Sequence, residues 1–396
     1  MRLKTIPAFL ACSLVTLTCA AQPIEAELRA KARESADRAI AYLRSQQDPV
    51  SGGWSVREPG RQLPAISSLV LTGMIMDPRL DASDETIRRG VDFVLSFRAP
   101  DGGIHDGFLP NYNTSISVSM LSRLGTPEAA RAIQTAVPYL KTLQYDESYE
   151  GSLESPGFTE PVSRDHPYYG GVGYGNNSRP DLSNLGFFLD ALHDAGVSTE
   201  DPAYRKALVF LSRVQMLDEV NDQPYADDSE QGGFVYATTP NADSVDEFIG
   251  QSQAGYYEEQ TSDGRTLTRL RAYGSATYLG FKSLIYADLS ADDPRLVAAR
   301  EWIERNFTLD ENPGLGDQGR YYYYCAMARA LGAWGDDAIG PEGSERDWRE
   351  GLVRALLALQ NEDGSFRVLH ERWMEGDEVL ITAYALIALQ TAANDR

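Results

Sequence analysis

The chain has 396 residues, with 36 basic and 58 acidic side chains and a formal net charge of -22. This acidic balance disfavours binding to nucleic acid or to anionic lipid headgroups, and it argues against highly anionic polysaccharides as ligands. Only Cys325 lies beyond the first 21 residues, so we expect no intramolecular disulfide in the mature chain.

The N-terminus has the pattern of a signal peptide. Arg2 and Lys4 form a short basic start, residues 6–17 are nearly all apolar or small, and residues 19–21 are small. This order predicts cleavage before Gln22 and export to the periplasm or beyond the cell. Loss of the leader would change the net charge from -22 to -24, because it removes two basic side chains.

The apolar stretch of this leader is too short to cross a bilayer, so we expect no integral membrane span. A lipoprotein anchored through Cys12 or Cys19 is the alternative interpretation of the leader. We expect the mature chain, residues 22–396, to form a single domain, since a closed repeat can build one domain of this size.

An internal repeat runs through the mature chain. Its pattern is an aromatic or apolar pair, three residues, a glutamine and then a glycine turn. Six copies, degraded to different degrees, occur in the sequence: Tyr42-Leu43 with Gln47 and Gly52-Gly53-Trp54, Phe93-Val94 with Arg98 and Gly102-Gly103-Ile104, Tyr139-Leu140 with Gln144 and Gly151-Ser152-Leu153, Phe210-Leu211 with Gln215 and Gly232-Gly233-Phe234, Trp302-Ile303 with Phe307 and Gly314-Leu315-Gly316, and Leu356 with Gln360 and Gly364-Ser365-Phe366.

Each copy ends an amphipathic segment whose apolar residues recur every three to four positions, which predicts a helix with one buried face. Thr126-Pro127, Asp201-Pro202 and Asp293-Pro294 each place a capping residue before a proline at the first helical position. The predicted helices cover residues 25–47, 84–98, 127–144, 202–216, 294–306 and 345–360.

A second helix follows each glycine turn and is apolar almost all round, which indicates complete burial. Alternation of one-faced and fully apolar helices predicts an outer and an inner ring. Because the last helix has no polar capping face, we expect the ring to close. The inner helices are predicted at residues 65–76, 114–124, 182–195, 274–287, 321–334 and 380–392.

These repeats resemble the prenyltransferase and squalene oxidase repeat family, which includes squalene-hopene cyclases and protein prenyltransferase β-subunits. The resemblance covers nearly the whole mature chain and implies an all-α (α/α)6 toroid. Several segments are more specifically similar to bacterial members of that family: residues 169–175, 179–184, 270–275, 309–316 and 321–324.

The chemistry that this resemblance would imply does not map onto the chain. The Asp-x-Asp-Asp acid motif of squalene-type cyclases is absent, and so is the magnesium-binding Asp-Asp-x-x-Asp pattern. Tyr321 and Ile381 stand where zinc prenyltransferases carry ligands, and neither side chain can supply the donors that zinc needs. We therefore expect no metal and no cofactor.

Two long insertions, residues 145–181 and 217–273, each connect an outer helix to its inner partner. Both must therefore lie on the rim formed by the N-termini of the inner helices. Connections of this length are commonly functional or disordered, and the aromatic residues and scarce lysines of these two favour order. Packing lids with satisfied turns are the alternative.

Candidate site residues cluster at this rim. Acid-base candidates are Asp165, His166, Asp310, Glu311 and Asp317. Candidate ligand-binding residues, which offer aromatic faces or a cation at the mouth, are Tyr168, Tyr169, Tyr174, Arg271, Tyr273, Tyr321 and Tyr322.

Three function classes remain open. The first is a cyclase-like toroid that binds an apolar or isoprenoid-like ligand in a central aromatic cavity. The second is a glycan-active or glycan-binding (α/α)6 protein, and the third is a non-catalytic interaction module of the cell envelope. The lining of the central cavity separates these classes; the sequence leaves catalysis and oligomeric state open.

Overall fold

This computed structural model describes residues 24–54, 62–149, 162–175, 178–239, 251–260, 264–340 and 343–394. The predicted leader and its cleavage site lie outside these ranges. Within them, no α-helix combines the length and the hydrophobicity needed to cross a bilayer.

Two sets of helices alternate along the described chain. The outer set comprises α1 (Ala26–Gln46), α3 (Glu85–Leu95), α5 (Pro127–Thr142), α7 (Pro202–Val214), α9 (Pro294–Asn306) and α11 (Trp348–Leu359). The inner set comprises α2 (Pro64–Ile75), α4 (Pro110–Leu124), α6 (Leu182–Asp194), α8 (Gly274–Tyr286), α10 (Arg320–Trp334) and α12 (Glu378–Ala393).

The inner helices form a closed ring. Each packs against the next inner helix, and α12 packs against α2. At this closure the amide of Gln390 donates a hydrogen bond to the carbonyl of Gly73. The predicted all-α toroid is confirmed, and with it the expectation that the ring closes.

Capping residues fix where the outer helices begin. The side chains of Thr126, Asp201 and Asp293 accept hydrogen bonds from backbone amides in the first turns of α5, α7 and α9. These contacts satisfy amides that would otherwise have no partner inside the helix. The predicted capping residue followed by proline is therefore confirmed at all three positions.

Four of the six repeat copies carry a glutamine that joins their unit to the next. The Gln47 amide donates to the carbonyls of Gly52, in its own turn, and Thr86, in the following outer helix, both at 2.8 Å. Gln144, Gln215 and Gln360 make the same paired contacts with their own glycine turn and the following outer helix. For Gln360 the following helix is α1, so this contact also closes the ring.

In five of the six copies the glycine turn contacts the next outer helix so closely that a side chain would not fit, whereas a Cβ on Gly316 of the fifth copy would meet nothing within 4 Å. A Cβ atom on Gly53 would lie 2.5 Å from the ring of Phe93, the aromatic residue of the next copy. In the third copy this role belongs to Gly170 and Gly171, and a Cβ on Gly171 would meet Phe210 at 2.6 Å. Gly151, which the repeat pattern assigns to the turn of the third copy, lies outside the described residues.

The described parts of both insertions lie at the rim where the inner helices begin, as predicted. The amide of Asn111, at the start of α4, donates to the carbonyl of Tyr174 in the first insertion. The amide of Leu182, at the start of α6, donates to Tyr236 in the second insertion. The second insertion also forms an antiparallel hairpin of β1 (Tyr256–Gln260) and β2 (Thr266–Leu270). A second short hairpin, β3 (Ala338–Ile339) with β4 (Arg346–Asp347), precedes α11.

Candidate functional site

A cavity of about 300 Å³ lies at this rim on the axis of the toroid. We call it the rim cavity. Its wall comes from the first turns of inner helices, from both insertions and from the loop before α12. The lining residues are Leu63, Leu109, Tyr112, Tyr174, Leu182, Ser183, Phe187, Tyr236, Gln253, Tyr273, Ser275, Ala276, Leu279, Tyr322, Trp373, Met374, Glu375 and Tyr384.

Aromatic rings make a continuous wall around the rim cavity. The centroid of the Tyr112 ring lies 6.4 Å from that of Tyr174 and 5.4 Å from that of Phe187, with an edge-to-face arrangement in the second pair. Tyr322 continues the wall, 6.2 Å from Phe187 and 5.7 Å from Tyr384. Such a wall offers an apolar ligand a large contact area and faces that attract positive charge.

One carboxyl group, that of Glu375, lines the rim cavity among the described residues. Its oxygens accept hydrogen bonds from the backbone amides of Tyr322 at 2.8 Å and Tyr321 at 3.4 Å. Burial raises the pKa of Glu375 to about 7, although these amide hydrogen bonds act in the opposite direction. Close to neutral pH this group can therefore both donate and accept a proton.

The loop that carries Glu375 has an unusual backbone. Trp373 and Met374 both have left-handed backbone angles, with φ of 56° and 66°. Such angles are costly for residues with a side chain and persist only when surrounding contacts enforce them. They hold the partly exposed Trp373 and Met374 side chains at the cavity mouth and turn Glu375 inward.

A second buried carboxyl group lies behind the wall. Asp181 caps α6 by accepting a 2.9 Å hydrogen bond from the amide of Asn184, and burial raises the pKa of its side chain. Tyr236, which lines the cavity, also contacts this carboxyl group. Asp181 therefore lies next to a residue of the cavity wall.

The run of four tyrosines divides into two roles. The hydroxyls of Tyr321, Tyr323 and Tyr324 donate to the carbonyls of neighbouring loop residues. Tyr322 alone of the four faces the cavity, and its buried hydroxyl lies near Ser183 without forming a hydrogen bond of normal geometry. The helix rotates each residue by about 100°, so neighbours in this run face different surroundings.

The remaining candidates of the first insertion lie apart from the cavity lining, with the exception of Tyr174. Tyr168 and Tyr169 belong to a separate buried cluster, and His166 packs its ring against Tyr168 at 5.1 Å. Burial lowers the pKa of His166. Asp165 is exposed.

The other candidates also divide between wall and surface. Tyr273 lines the cavity. The exposed guanidinium of Arg271 lies 5.2 Å from the centroid of the Tyr257 ring, outside the lining. Asp310 and Glu311 are exposed turn residues, and Asp317 forms a 3.0 Å ion pair with Arg320.

Sequence reasoning did not single out Glu375, Tyr112, Tyr384 or Phe187 as site residues. Tyr112 and Phe187 lie in the first two turns of inner helices, so the ring prediction placed them near the correct rim. Glu375 precedes the predicted last inner helix by a few residues, and that position was its only signal. Within the described ranges, no group of three or more His, Cys, Asp or Glu side chains could hold a metal ion.

No protein-family model matches the sequence, and the comparison with curated proteins finds no relative. The fold is similar to that of a GH76A α-1,6-mannanase from Salegentibacter, with a TM-score of 0.57 and 9% identity over 91% of this chain and 99% of that chain. An inactive variant of this mannanase in complex with α-1,6-mannotriose matches with a TM-score of 0.53 and 10% identity, over 91% and 99% of the two chains.

A type II terpene cyclase from Scytonema in complex with merosterolic acid A also matches, with a TM-score of 0.37 and 14% identity over 93% of this chain and 98% of that chain. At these identities the mannanase likeness concerns the fold alone, and the cyclase score carries no argument. The chain thus has the α/α toroid architecture, which by itself does not specify a ligand.

Proposed function

We propose that this protein binds an isoprenoid-like ligand with one oxygen-bearing end in the rim cavity, and that Glu375 exchanges a proton with that oxygen. The predicted leader supports action outside the cytoplasm, and the resemblance of the repeats to those of terpenoid cyclases supports the ligand class. The single observation that carries the proposal is the continuous aromatic wall closed by one buried carboxyl group.

The composition of the wall favours an apolar body for the ligand. The lining consists mainly of aromatic and aliphatic side chains. Each buried methylene of a ligand contributes about 0.8 kcal/mol in such surroundings. A chain of isoprene units fits this requirement better than a polyhydroxylated sugar, because each buried hydroxyl would need a hydrogen-bond partner.

The position of Glu375 favours an oxygen at one end of the ligand. A carboxyl group with a pKa of about 7 is suited to proton transfer with hydroxyl or carbonyl oxygens near neutral pH. It is a weak acid for protonating an isolated carbon-carbon double bond. The Tyr322 hydroxyl, on the same wall, offers an additional hydrogen bond to such an oxygen.

A glycan ligand is the second candidate, and one observation favours it. The side chain of Trp373 is 41% exposed at the cavity mouth, where an indole ring could stack on a sugar. However, glycosidases of the usual type need two carboxyl groups flanking the bond that is cleaved. Among the described residues that line the cavity, Glu375 alone carries a carboxyl group.

The experiment is a calorimetric titration of the purified protein with three ligands. Farnesol tests the complete proposal, farnesene tests the need for the oxygen, and α-1,6-mannotriose tests the glycan alternative. We expect farnesol to bind at least tenfold more tightly than farnesene and mannotriose to give no signal. Binding of mannotriose without binding of farnesol would overturn the proposal, whereas equal binding of farnesol and farnesene would refute the role assigned to the oxygen.

A further inference from the structure

A second cavity, of about 280 Å³, opens at the opposite end of the toroid, where the inner helices end. We call it the distal cavity. Phe187, Leu279, Tyr322 and Tyr384 line both cavities and so form the partition between them. The walls next to this partition are apolar, with Leu69, Ile116 and Ile387 contributing from three inner helices.

Three cations from three inner helices converge on the distal cavity. Arg123 comes from α4, Lys282 from α8 and Arg329 from α10. Lys282 and Arg329 share one carboxylate: the Lys282 ammonium lies 2.6 Å from an Asp190 oxygen, and Arg329 lies 2.7 Å from the other. Arg123 makes no hydrogen bond or ion pair within the described ranges.

The carboxylates at this end do not balance these cations. Asp190 lines the cavity, and Asp194 lies beside it, 3.8 Å from Arg329 and 3.5 Å from His193. Among the described residues at this end, three cations against two carboxylates leave one excess positive charge when histidine is counted as neutral. This local excess stands out in a chain whose net charge is -22.

Several donors of these cations remain unused. Among the described residues, the Arg329 guanidinium donates one hydrogen bond, to Asp190, out of the five that it can make. The Lys282 ammonium forms its hydrogen bond and ion pair with the single carboxylate of Asp190 and lies 5.7 Å from the centroid of the Tyr286 ring. Burial lowers the pKa of Lys282, and the nearby charge of Arg329 lowers it further. The existing partners therefore compensate these charges incompletely.

Compensation of helix dipoles does not account for this arrangement. Cations near the last turn of a helix gain only about 0.3–1 kcal/mol from the helix dipole. Arg123 lies next to the end of α4 and fits that explanation. Lys282 and Arg329 lie more than one turn before the ends of α8 and α10, and Lys282 is almost completely buried. Burying an ammonium group costs far more than the dipole returns.

We propose that the distal cavity is a binding site for a small amphiphile with one carboxylate or phosphate head. The head would lie against Arg123, Lys282 and Arg329, where it would neutralise the excess charge. The apolar body would point along the axis towards the partition. The site is separate from the rim cavity and does not depend on the function proposed for it.

The test uses octanoate, octyl phosphate and octanol as ligands of the full mature chain. Cys325 provides a local measurement, because its thiol lines the distal cavity and is the only thiol beyond residue 21. We expect octanoate or octyl phosphate to slow alkylation of Cys325 by iodoacetamide at least tenfold at saturation. Octanol at the same concentration should slow it less than twofold. The preferred head group then identifies a carboxylate or a phosphate ligand.

Two variants test the cations. Arg123→Gln should weaken binding of the preferred anion at least tenfold with little change in the melting temperature, because Arg123 is exposed and makes no hydrogen bond or ion pair within the described ranges. Lys282→Met removes the buried charge while Arg329 still pairs with Asp190, and it should weaken binding similarly. Arg131→Gln, on the exposed face of α5, is the matched control for loss of one positive charge and should bind normally.

Three results would overturn this proposal. Equal protection of Cys325 by octanol and octanoate would show that charge is not recognised. Alkylation unaffected by any of the ligands would show that nothing binds in the cavity. If Arg123→Gln and Arg131→Gln lowered the affinity for the anion equally, the effect would come from the overall charge of the protein and not from a site in the distal cavity.

Discussion

The Glu375 carboxylate accepts a 2.8 Å hydrogen bond from the backbone amide of Tyr322, in the first turn of α10. The same tyrosine presents its ring to the rim cavity. One helix terminus therefore positions both the wall and the carboxyl group. The effect of burial on the Glu375 pKa is larger than the opposite effect of the amide hydrogen bonds, so the pKa is raised to about 7.

This raised pKa makes stability depend on pH. The unfolded carboxyl group loses its proton near pH 4.5, whereas the folded group keeps it until about pH 7. Stability is therefore unaffected by this group below pH 4.5, falls as pH rises to 7 and then levels off, with a total loss of about 3 kcal/mol. We expect Glu375→Gln to abolish this loss, as measured by urea unfolding at pH 5 and pH 8.

Glu371→Gln is the control, because Glu371 is an exposed carboxylate in the same loop. It should leave the pH dependence of the unfolding free energy unchanged. If Glu375→Gln loses as much stability between pH 5 and pH 8 as the unmodified chain, the carboxyl group is ionised in the folded protein at both pH values.

Tyr322 should be required for ligand binding at the rim cavity. Tyr322→Ala removes part of the aromatic wall and should lower the affinity for farnesol at least tenfold. Tyr322→Phe removes only the hydroxyl and should lower this affinity two- to fivefold, by the loss of about one hydrogen bond. Titration calorimetry measures both effects. Arg271→Ala, which alters a side chain outside the lining, should bind normally. Weaker binding in Arg271→Ala than in Tyr322→Ala would instead place the site at the hairpin.

The repeat glutamine should be essential for stability. Gln144 donates 3.0 Å hydrogen bonds to the carbonyls of Gly170 and Ala203, and both residues are buried. Gln144→Leu leaves these carbonyls without a partner and should reduce the free energy of unfolding by about 3 kcal/mol. Gln134→Leu, on the exposed face of α5, should change it by less than about 0.5 kcal/mol. Equal urea midpoints for the two variants would contradict this role.

Two glycines of the inner ring should respond in opposite ways to alanine. A Cβ atom on Gly186 would lie 3.6 Å from Leu279, an ordinary contact, so Gly186→Ala should stabilise the protein by up to about 1 kcal/mol. A Cβ atom on Gly73 would lie 2.9 Å from Leu386, where α2 meets α12. Gly73→Ala should therefore lower the free energy of unfolding by about 1–3 kcal/mol. Thermal unfolding checks both signs, and stabilisation by both changes would show that the ring closure has spare room.

The sequence by itself determined the helices, their order and the closed ring. Apolar periodicity, capping residues such as Thr126 and the repeated glycine turns are local signals, and each depends on residues close together in the chain. The repeat glutamine, as at Gln144, was visible as a pattern, but the hydrogen bonds by which it joins successive units are seen only in the structure. The insertions could be assigned to one rim because every inner helix follows its outer partner in the same direction.

Only the tertiary structure decided which side chains face the axis. Tyr322 faces the cavity and Tyr321 faces a loop, although they are adjacent in the sequence. Glu375 acquires its raised pKa from burial by groups that are distant along the chain. Lys282 and Arg329, from two different helices, both pair with Asp190 on a third. The physical reason is that desolvation and charge pairing depend on distances in space, which a local pattern of residues does not specify.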